Sequence, residues 1–199
     1  MSTEKLKYEN MINELFEMWK KSRKFKYFVS DGVIDPEVYF SNNVKVLFIT
    51  KEANDGDDGG DYNLCTEILK HENYKPFIRH MIQWTWAINE NFPEEINFCD
   101  EIKNKYLRSF AVLNLKKIGG GSISKNHNIL QYANRDKDFI IKEIEIIDPD
   151  VIIGLISCPI LSIIDINPKI KYIEFYHPAY FGFPDQVFMK MLKSLYLNK

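Results

Sequence analysis

Four short apolar runs divide the chain and predict the strands of a sheet. They lie at 44–50, 109–115, 151–157 and 171–176, and they are rich in β-branched and aromatic residues. Runs of this length, bounded by turn residues, are typical of strands buried on both faces. Because periodicity alone does not separate such a run from a buried helix, its shortness and its flanking residues decide the interpretation.

Segments with apolar residues at three- and four-residue spacing predict helices between and around these strands. Residues 28–40 contain the turn signals Asp31-Gly32 and Asp35-Pro36, so they are predicted to form an irregular lead-in to the first strand. The predicted helices are 2–21, 64–69, a helix that begins at Pro76, 93–106, 135–147, 159–165 and 185–197.

The alternation of strands with helices predicts the fold class. It implies parallel strands joined by right-handed crossovers, with helices on both faces of the sheet. The expected fold is α/β, a three-layer α/β/α sandwich with a central four-stranded parallel sheet. The chain of 199 residues fits a single domain, 1–199, with a helical lead-in over about 1–43.

Composition narrows the choice of function. Hydrophobic residues make up 45% of the chain and charged residues 27%, which is the balance of an ordinary globular protein. The net charge is −2, so DNA binding, which a basic surface usually carries, would depend on a local patch. No apolar run has the length of a membrane span and the N-terminus lacks a signal-peptide core. We therefore expect no membrane partner and a cytoplasmic protein.

The three cysteines bear on cofactors. Cys65, Cys99 and Cys158 are odd in number, far apart in sequence and without a CxxC pair. This pattern argues against a disulfide framework, and against a zinc ion or an iron–sulfur cluster held by four cysteines. We expect no cofactor, and the oligomeric state is left open.

Polar side chains follow three of the four predicted strands. Glu52, Asn54 and Asp55 come after the first strand, Asn114 ends the second, and His177 follows the fourth. Ligands of open parallel sheets bind outside the carboxyl ends of the strands, where these side chains would meet. A carboxylate can activate a water, an Asn offers both donors and an acceptor, and a His can stabilise charge on a leaving group.

Each of these residues also has a plainer interpretation. Glu52 can begin a solvated loop, Asn114 can satisfy a turn, and His177 can be a hydrogen-bonded structural histidine. Their joint occurrence at corresponding strand ends favours a functional site.

At these strand ends the chain resembles the uracil-DNA glycosylase superfamily, over roughly 44–185. That superfamily has a Gly-Glu-Ala-Pro-Gly or Gly-Gln-Asp-Pro-Tyr type motif after its first strand, where this chain has Lys51-Glu52-Ala53-Asn54. Its second strand ends in Asn, as Val112-Leu113-Asn114 does here, and Pro149–Leu155 matches its third strand. Its His-Pro-Ser motif corresponds to His177-Pro178-Ala179.

The resemblance implies a hydrolase that cleaves the N-glycosidic bond of a damaged or deaminated base in DNA. Lys116, Lys117 and Lys125 would meet DNA phosphates. Tyr180, with Phe181 and Phe183, would fill the gap left by an extracted base. The residues it implies as catalytic are Glu52, Asp55 and His177, and those implied as substrate-binding are Ala53, Asn54, Asn114, Lys117 and Tyr180.

The chain departs from the family motifs at several positions. Lys51 replaces the usual Gly, Asn54 the usual Pro and Ala179 the Ser of His-Pro-Ser. Ala53 stands where some members carry a water-activating Asp, so that role would fall to Glu52 or Asp55. The alternative function is therefore a non-catalytic protein that binds a base, nucleoside or nucleotide on the same fold.

The acidic segment after the first strand allows a third interpretation. Asp55, Asp57 and Asp61 have the 1, 3, 7 spacing of a calcium loop, with Gly60 at position 6. Position 12 is Thr66 where such a loop has Glu, so no metal is predicted. Metal-assisted phosphoester hydrolysis would need further carboxylates on other strands, which the sequence does not supply.

Overall fold

The computed structural model describes residues 2–54, 60–70, 76–94, 99–121, 125–158 and 160–198. In these residues the helices are α1 (Thr3–Arg23), α2 (Pro36–Tyr39), α3 (Leu64–Lys70), α4 (Pro76–Asn89), α5 (Asp100–Leu107), α6 (Asn126–Arg135), α7 (Lys137–Ile147) and α8 (Asp185–Leu197). The strands are β1 (Val29–Ser30), β2 (Gly32–Val33), β3 (Val46–Thr50), β4 (Tyr62–Asn63), β5 (Phe110–Asn114), β6 (Val151–Leu155) and β7 (Lys171–Phe175).

Five strands form the main sheet in the order β2-β5-β3-β6-β7. Strands β5, β3, β6 and β7 run parallel to one another, and β2 pairs antiparallel with β5 at one edge. Strands β1 and β4 form a separate two-stranded parallel sheet. The α/β class and the four predicted parallel strands are confirmed, and the main sheet has five strands where four were predicted.

Apolar side chains of the central strands alternate between the two faces of the sheet. Leu47 and Ile49 pack with residues of α1, α6 and α7, whereas Val46 and Phe48 pack with residues of α4, α5 and α8. Each face therefore has its own apolar core under its own layer of helices, because every strand position is buried. None of the described helices is long and apolar enough to cross a membrane.

The prediction of an irregular lead-in over 28–40 is wrong, because this segment contributes β1, β2 and α2. Gly32 has a backbone φ of 117°, a conformation that side chains rarely allow. The Tyr8 hydroxyl occupies the space where a Cβ of this residue would lie, and it accepts a hydrogen bond from Val33 N at 2.8 Å. Strands of two residues have no readable period, so the sequence pattern did not reveal them.

The predicted helix over 135–147 is confirmed as α7 (Lys137–Ile147), and α6 (Asn126–Arg135), which precedes it, was not predicted. Helices α6 and α7 meet at Asp136, a buried carboxylate that accepts hydrogen bonds from the guanidinium groups of Arg23 and Arg135. Helix α6 begins at Asn126, nine residues before the start of the predicted helix. Because the break is set by an ion pair from α1, the local pattern does not show it.

Two further predicted helices differ from the structure in length. Helix α5 begins at Asp100, where the sequence predicted a start near 93, and residues 95–98 lie outside the described residues. The predicted helix 159–165 is a 3₁₀ turn over Ile160–Ser162, and residue 159 also lies outside them.

We predict that Gly154→Ala lowers the free energy of unfolding by about 1–3 kcal/mol, the usual cost of overpacking. The reason is that a Cβ at Gly154 in β6 would overlap the Tyr172 hydroxyl and ring from the neighbouring β7. The measurement is urea denaturation of Gly154→Ala in the wild-type and in the Tyr172→Ala backgrounds. The Gly154→Ala penalty should shrink once the ring is gone, and an equal penalty in both backgrounds would contradict the steric explanation.

Candidate functional site

The carboxyl ends of the four parallel strands form one edge of the sheet. Thr50 of β3 pairs with Asn114 of β5, and Leu155 of β6 pairs with Phe175 of β7. The chain passes from β3 to β5 on one side and then returns across β3 to β6, so the ends of β3 and β6 flank a topological switch point. The ends of β5 and β7 are three strand spacings apart, roughly 14 Å.

The segments that follow β3 and β5 continue side by side beyond the strands. Leu115 N donates to Thr50 O at 3.0 Å, and Gly120 N donates to Ala53 O at 2.9 Å. Asn54 forms an isolated parallel bridge with Gly120. Ala53 is consequently buried with its carbonyl already bonded, whereas Asn54 is exposed at the edge.

Glu52 is held beneath the glycine-rich segment. Its carboxylate forms an ion pair with the Lys116 ammonium, and its side chain is only 6% exposed. Gly120 lies so close that a Cβ there would overlap the carboxylate. The charge of Glu52 is therefore compensated inside the protein by the ammonium that contacts its Oε2 atom.

Asn114 is buried at the end of β5, with 1% of its surface exposed. Its backbone N–H donates to Asp31 Oδ2 at 2.6 Å, and its side-chain Oδ1 lies 2.5 Å from the Thr50 hydroxyl. Its Nδ2 atom is buried and has no hydrogen-bond partner among the described residues. Buried donors are nearly always paired, so an orphaned one marks a place where a ligand or a water belongs.

Lys117 lies inside the protein and not at the edge. Its fully buried ammonium pairs with Asp31, and it lies 2.7 Å from Glu143 Oε2 of α7. It also faces the rings of Phe16 and Trp19 of α1, 5.4 and 5.2 Å from the ring centres. With no exposed surface, Lys117 does not face a DNA phosphate, and it supports the end of β5 from behind.

Protonation balances this buried cluster of Asp31, Lys117 and Glu143. Burial by itself lowers the pKa of Lys117, but Asp31 and Glu143 outweigh burial and hold that pKa above its usual range. Burial and the charge of Asp31 raise the pKa of Glu143 well above its ordinary value. Glu143 therefore keeps its proton to a higher pH than an ordinary glutamate, and while it is protonated one carboxylate faces one ammonium.

His177 is half-buried two residues beyond β7, and its neutral form is favoured. Burial and, next, the positive charge of Lys51 lower its pKa below the ordinary value. Ala179 N donates to His177 Nδ1 at 3.0 Å, so the ring proton sits on Nε2. The imidazole thus offers an N–H donor, and its response to Lys51 shows that the residue after β3 approaches the loop after β7.

The aromatic residues after His177 form a partly exposed surface. Tyr180 is 44% exposed and stacks on Tyr176, with ring centres 5.1 Å apart and planes inclined by 11°. Phe181 and Phe183 are exposed beside it. An added Cβ at Gly182 would overlap the Tyr180 ring, so glycine allows that ring to take its place.

His80 of α4 holds this loop in position, and the sequence analysis did not single it out. Its Nδ1 donates to the Pro178 carbonyl, with 2.5 Å between the two atoms, and its ring stacks on Trp84. Its Nε2 lies 3.5 Å from Asp185 Oδ1 at the start of α8. A carbonyl can only accept, so this bond also settles which nitrogen of His80 carries a proton.

Four other residues of the site escaped the sequence analysis: Thr50, Asp31, Lys116 as a partner of Glu52, and Glu143. Only Glu143 left a signal, because it lies at helical spacing from Ile140 and Ile147 on the apolar stripe of α7. A charge in such a stripe indicates a buried partner.

Asp55, a predicted catalytic residue, and Asp57 lie outside the described residues, so their predictions stay untested. Asp61, the third residue of the calcium-loop interpretation, pairs with Lys20 and accepts a hydrogen bond from Phe28 N at 2.6 Å. The described part of the chain contains no group of three or more His, Cys, Asp or Glu side chains that could hold a metal ion.

No family model, no curated protein and no solved structure matches this chain. The resemblance to uracil-DNA glycosylases consequently stays a prediction, and the function has to be argued from the site.

We predict that Glu143→Gln flattens the pH dependence of stability. A raised carboxyl pKa means that the folded state retains a proton which the unfolded state releases above about pH 4.3. The contribution of Glu143 is complete below that pH and is lost as the pH rises towards its folded-state pKa. Gln has no proton to lose, so the variant should gain stability relative to wild type as the pH rises above about 4.3.

Urea denaturation at several pH values measures this effect. Glu145→Gln is the matched control, because Glu145 lies on the surface of the same helix in a pair with Lys142. Lys117→Met should lose about 3–5 kcal/mol, since it leaves the Asp31 charge buried without its partner. A parallel pH profile for wild type and Glu143→Gln would show that Glu143 is not protonated in the folded state.

We predict that Lys51→Gln raises the pKa of His177. Removing a neighbouring positive charge makes the imidazolium less unfavourable, while the effect of burial remains, so the pKa should stay below that of a free imidazole. An NMR titration of the imidazole carbon-bound protons, assigned with His177→Gln, measures it. Lys142→Gln, on the surface of α7, is the control and should leave the titration unchanged. Equal pKa values in wild type and Lys51→Gln would remove Lys51 from the site.

Proposed function

We propose that this protein recognises a nucleobase at the carboxyl edge of its sheet and hydrolyses the N-glycosidic bond that joins the base to DNA, as a uracil-DNA glycosylase-like enzyme. The Asn114 amide carries this proposal, since Nδ2 is buried without a partner among the described residues. A buried unpaired donor costs about 1–3 kcal/mol, and an acceptor atom of a bound base would remove that cost.

His177 would supply the main chemical assistance. In the reaction the water oxygen bonds to C1′ of the sugar, the glycosidic bond breaks, and the base leaves with the bonding electrons. The proton that the water loses is finally taken up by the departed base. The Nε2–H of a neutral His177 can donate to a carbonyl oxygen of the base as negative charge develops there. The lowered pKa of His177 supports this role, because it favours the neutral imidazole, which still carries the Nε2–H donor.

Aromatic and basic residues of the same edge fit a DNA substrate. An enzyme of this type must take the base out of the helical stack, and the exposed Tyr180 offers a ring for stacking. Lys51 and Lys125 are the lysines of this edge with accessible surface for phosphates. Lys116 is committed to Glu52 and Lys117 is buried, so the proposed basic patch is smaller than the sequence suggested.

A second candidate function is base binding without cleavage. The ion pair between Glu52 and Lys116 favours it, because a compensated carboxylate is a weak base for activating water. Ala53, which stands where some glycosylases carry Asp, points the same way. Asp55 is the remaining candidate carboxylate, so the hydrolase requires Asp55 to activate the water and the binding protein does not.

We predict that Asn114→Ala abolishes base recognition while the protein still folds. Losing two hydrogen bonds in a desolvated pocket should weaken binding by roughly two to four orders of magnitude. The measurements are affinity for a uracil-containing oligonucleotide and the melting temperature of the same preparation. Asn128→Ala, at an exposed position of α6, is the control. A destabilised Asn114→Ala with unchanged affinity would show that Asn114 serves only the fold.

A cleavage assay on the same oligonucleotides separates enzyme from binder. Duplexes that contain uracil, hypoxanthine or a mismatched thymine are incubated with the protein, and abasic sites are then nicked. Strand breaks that are lost in His177→Ala support the glycosylase. Tight binding without breaks supports the non-catalytic function, and the absence of both refutes the proposal.

A further inference from the structure

Two stretches of the chain without acidic residues meet on one surface. The chain has 28 Asp and Glu residues, yet 18–30 and 102–135 contain none. The first stretch includes the end of α1, and the second includes all of α6. Positive charge is therefore concentrated on part of the protein, although the net charge of the whole chain is −2.

Helix α6 connects this surface to the carboxyl edge of the sheet. At the start of the helix, Asn126 Nδ2 donates to Ser157 O at 2.8 Å, just beyond the end of β6. At the other end, Arg135 O accepts from Arg23 Nη2 at 2.7 Å, at the end of α1. The surface therefore starts beside the proposed base site and leads away from it.

The outer face of α6 is polar and carries no negative charge. Ile129 and Ala133 are buried beneath the helix. Exposed side chains at three- and four-residue spacing form its outer face: His127, Gln131, Asn134 and Arg135. On the neighbouring α7 the exposed charges have both signs, as in the pair of Lys142 with Glu145. A face that offers amide, imidazole and guanidinium donors without a carboxylate suits a ligand rich in acceptor oxygens, such as phosphate.

The end of α1 supplies cations beside this face. Lys20 is paired with Asp61, and Arg23 with the buried Asp136. Three exposed lysines have no carboxylate partner among the described residues: Lys21, Lys24 and Lys26. The helix dipole explains cations in the last turn of a helix, but Lys26 lies beyond the end of α1. The surface thus has a positive charge that no partner inside the described part of the chain cancels.

Aromatic rings lie between these cations. The Arg135 guanidinium is 4.4 Å from the ring centre of Tyr132 and 5.4 Å from that of Phe25. The Lys26 ammonium is 4.7 Å from the ring centre of Tyr27, which is 37% exposed. Cations interleaved with rings are typical of surfaces that follow a nucleic-acid strand. No aliphatic side chain of α6 is exposed, so this helix has no apolar face to insert into a membrane.

We infer that α6 and the end of α1 form a second nucleic-acid contact surface, which binds the sugar–phosphate backbone beside the recognised base. The inference extends the proposed function and rests on DNA being the ligand. Helix α6 has 10 residues and is about 15 Å long, which is the rise of roughly four base pairs. Contacts to phosphates position a strand without reading its sequence, so this surface acts on damaged and undamaged DNA alike.

Removal of two lysines tests the surface on an undamaged duplex. Lys24→Gln/Lys26→Gln is compared with wild type by fluorescence anisotropy, with a duplex of about 20 base pairs at about 50 to 200 mM salt. The slope of the logarithm of affinity against the logarithm of salt concentration follows the number of phosphates contacted. It should become shallower by roughly one to two in the variant. Lys190→Gln/Lys193→Gln is the matched control, because it removes two exposed lysines from α8, in the other helix layer.

A single added charge tests the face of α6 separately. Gln131→Glu places a carboxylate among the proposed phosphate contacts, so the affinity for the same duplex should fall by at least about threefold at the lowest salt concentration. Ser194→Glu, at an exposed position of α8, is the control. Thermal melting followed by circular dichroism verifies that each variant is folded.

The outcomes separate this surface from the base site. An unchanged slope in the lysine variant, an unchanged affinity in Gln131→Glu, or equal losses in the α8 controls would overturn the inference. Tighter binding to phosphatidylserine vesicles than to the duplex, lost in the same variants, would assign the surface to a membrane instead. If the variants weaken binding to undamaged DNA while uracil is neither preferred nor released, the surface stands and the proposed function fails. A wild-type protein that binds no DNA would overturn both.

Discussion

Asp31 is the carboxylate on which this edge of the sheet depends. One of its oxygens accepts the backbone N–H of Asn114, and the other pairs with the Lys117 ammonium, which also contacts Glu143. These contacts join the segment between β1 and β2, the end of β5, and α7. A carboxylate and an ammonium this deep in a protein are costly unless each has its partner, so removing one of them would destabilise all three elements at this position.

Two lysines near this edge are paired with carboxylates inside the protein, so they serve the fold. Lys117 is matched by Asp31, and Lys116 is matched by Glu52. Once these charges are compensated, two neutral donors of the described residues stand out at this edge, the Asn114 Nδ2 group and the His177 Nε2–H. The neutral groups of Asn114 and His177 therefore define the site more than the carboxylate of Glu52, which the sequence analysis had favoured as catalytic. Under the proposed function, this balance would suit recognition of a base edge, and water activation would fall to Asp55 or to a rearranged Glu52.

The loop that carries His177 is held by α4, which belongs to the helix layer on the Val46 and Phe48 face of the sheet. His80 reaches from α4 to the Pro178 carbonyl, and its other nitrogen faces Asp185 at the start of α8. Arg79 and Gln83, on the same helix, also contact that carboxylate. Helix α4 thus holds the histidine loop through the Pro178 carbonyl and the ring of Phe181, although none of its own side chains is among the proposed catalytic groups.

The α/β class, the four parallel strands and their common edge were predictable from the sequence, because the length and spacing of the apolar residues are properties of each local segment. Helix α8 and the start of α4 were also predictable, since their apolar spacing and Pro76 are local signals. Tertiary structure alone decided which polar groups are paired. Glu52 meets Lys116 across 64 residues and Lys117 meets Asp31 across 86, and no local period encodes such contacts. The antiparallel β2 and the break at Asp136 were not predictable for the same reason. Strand β2 forms because β5 offers it an unpaired edge, and the break depends on Arg23, which pairs with the buried Asp136.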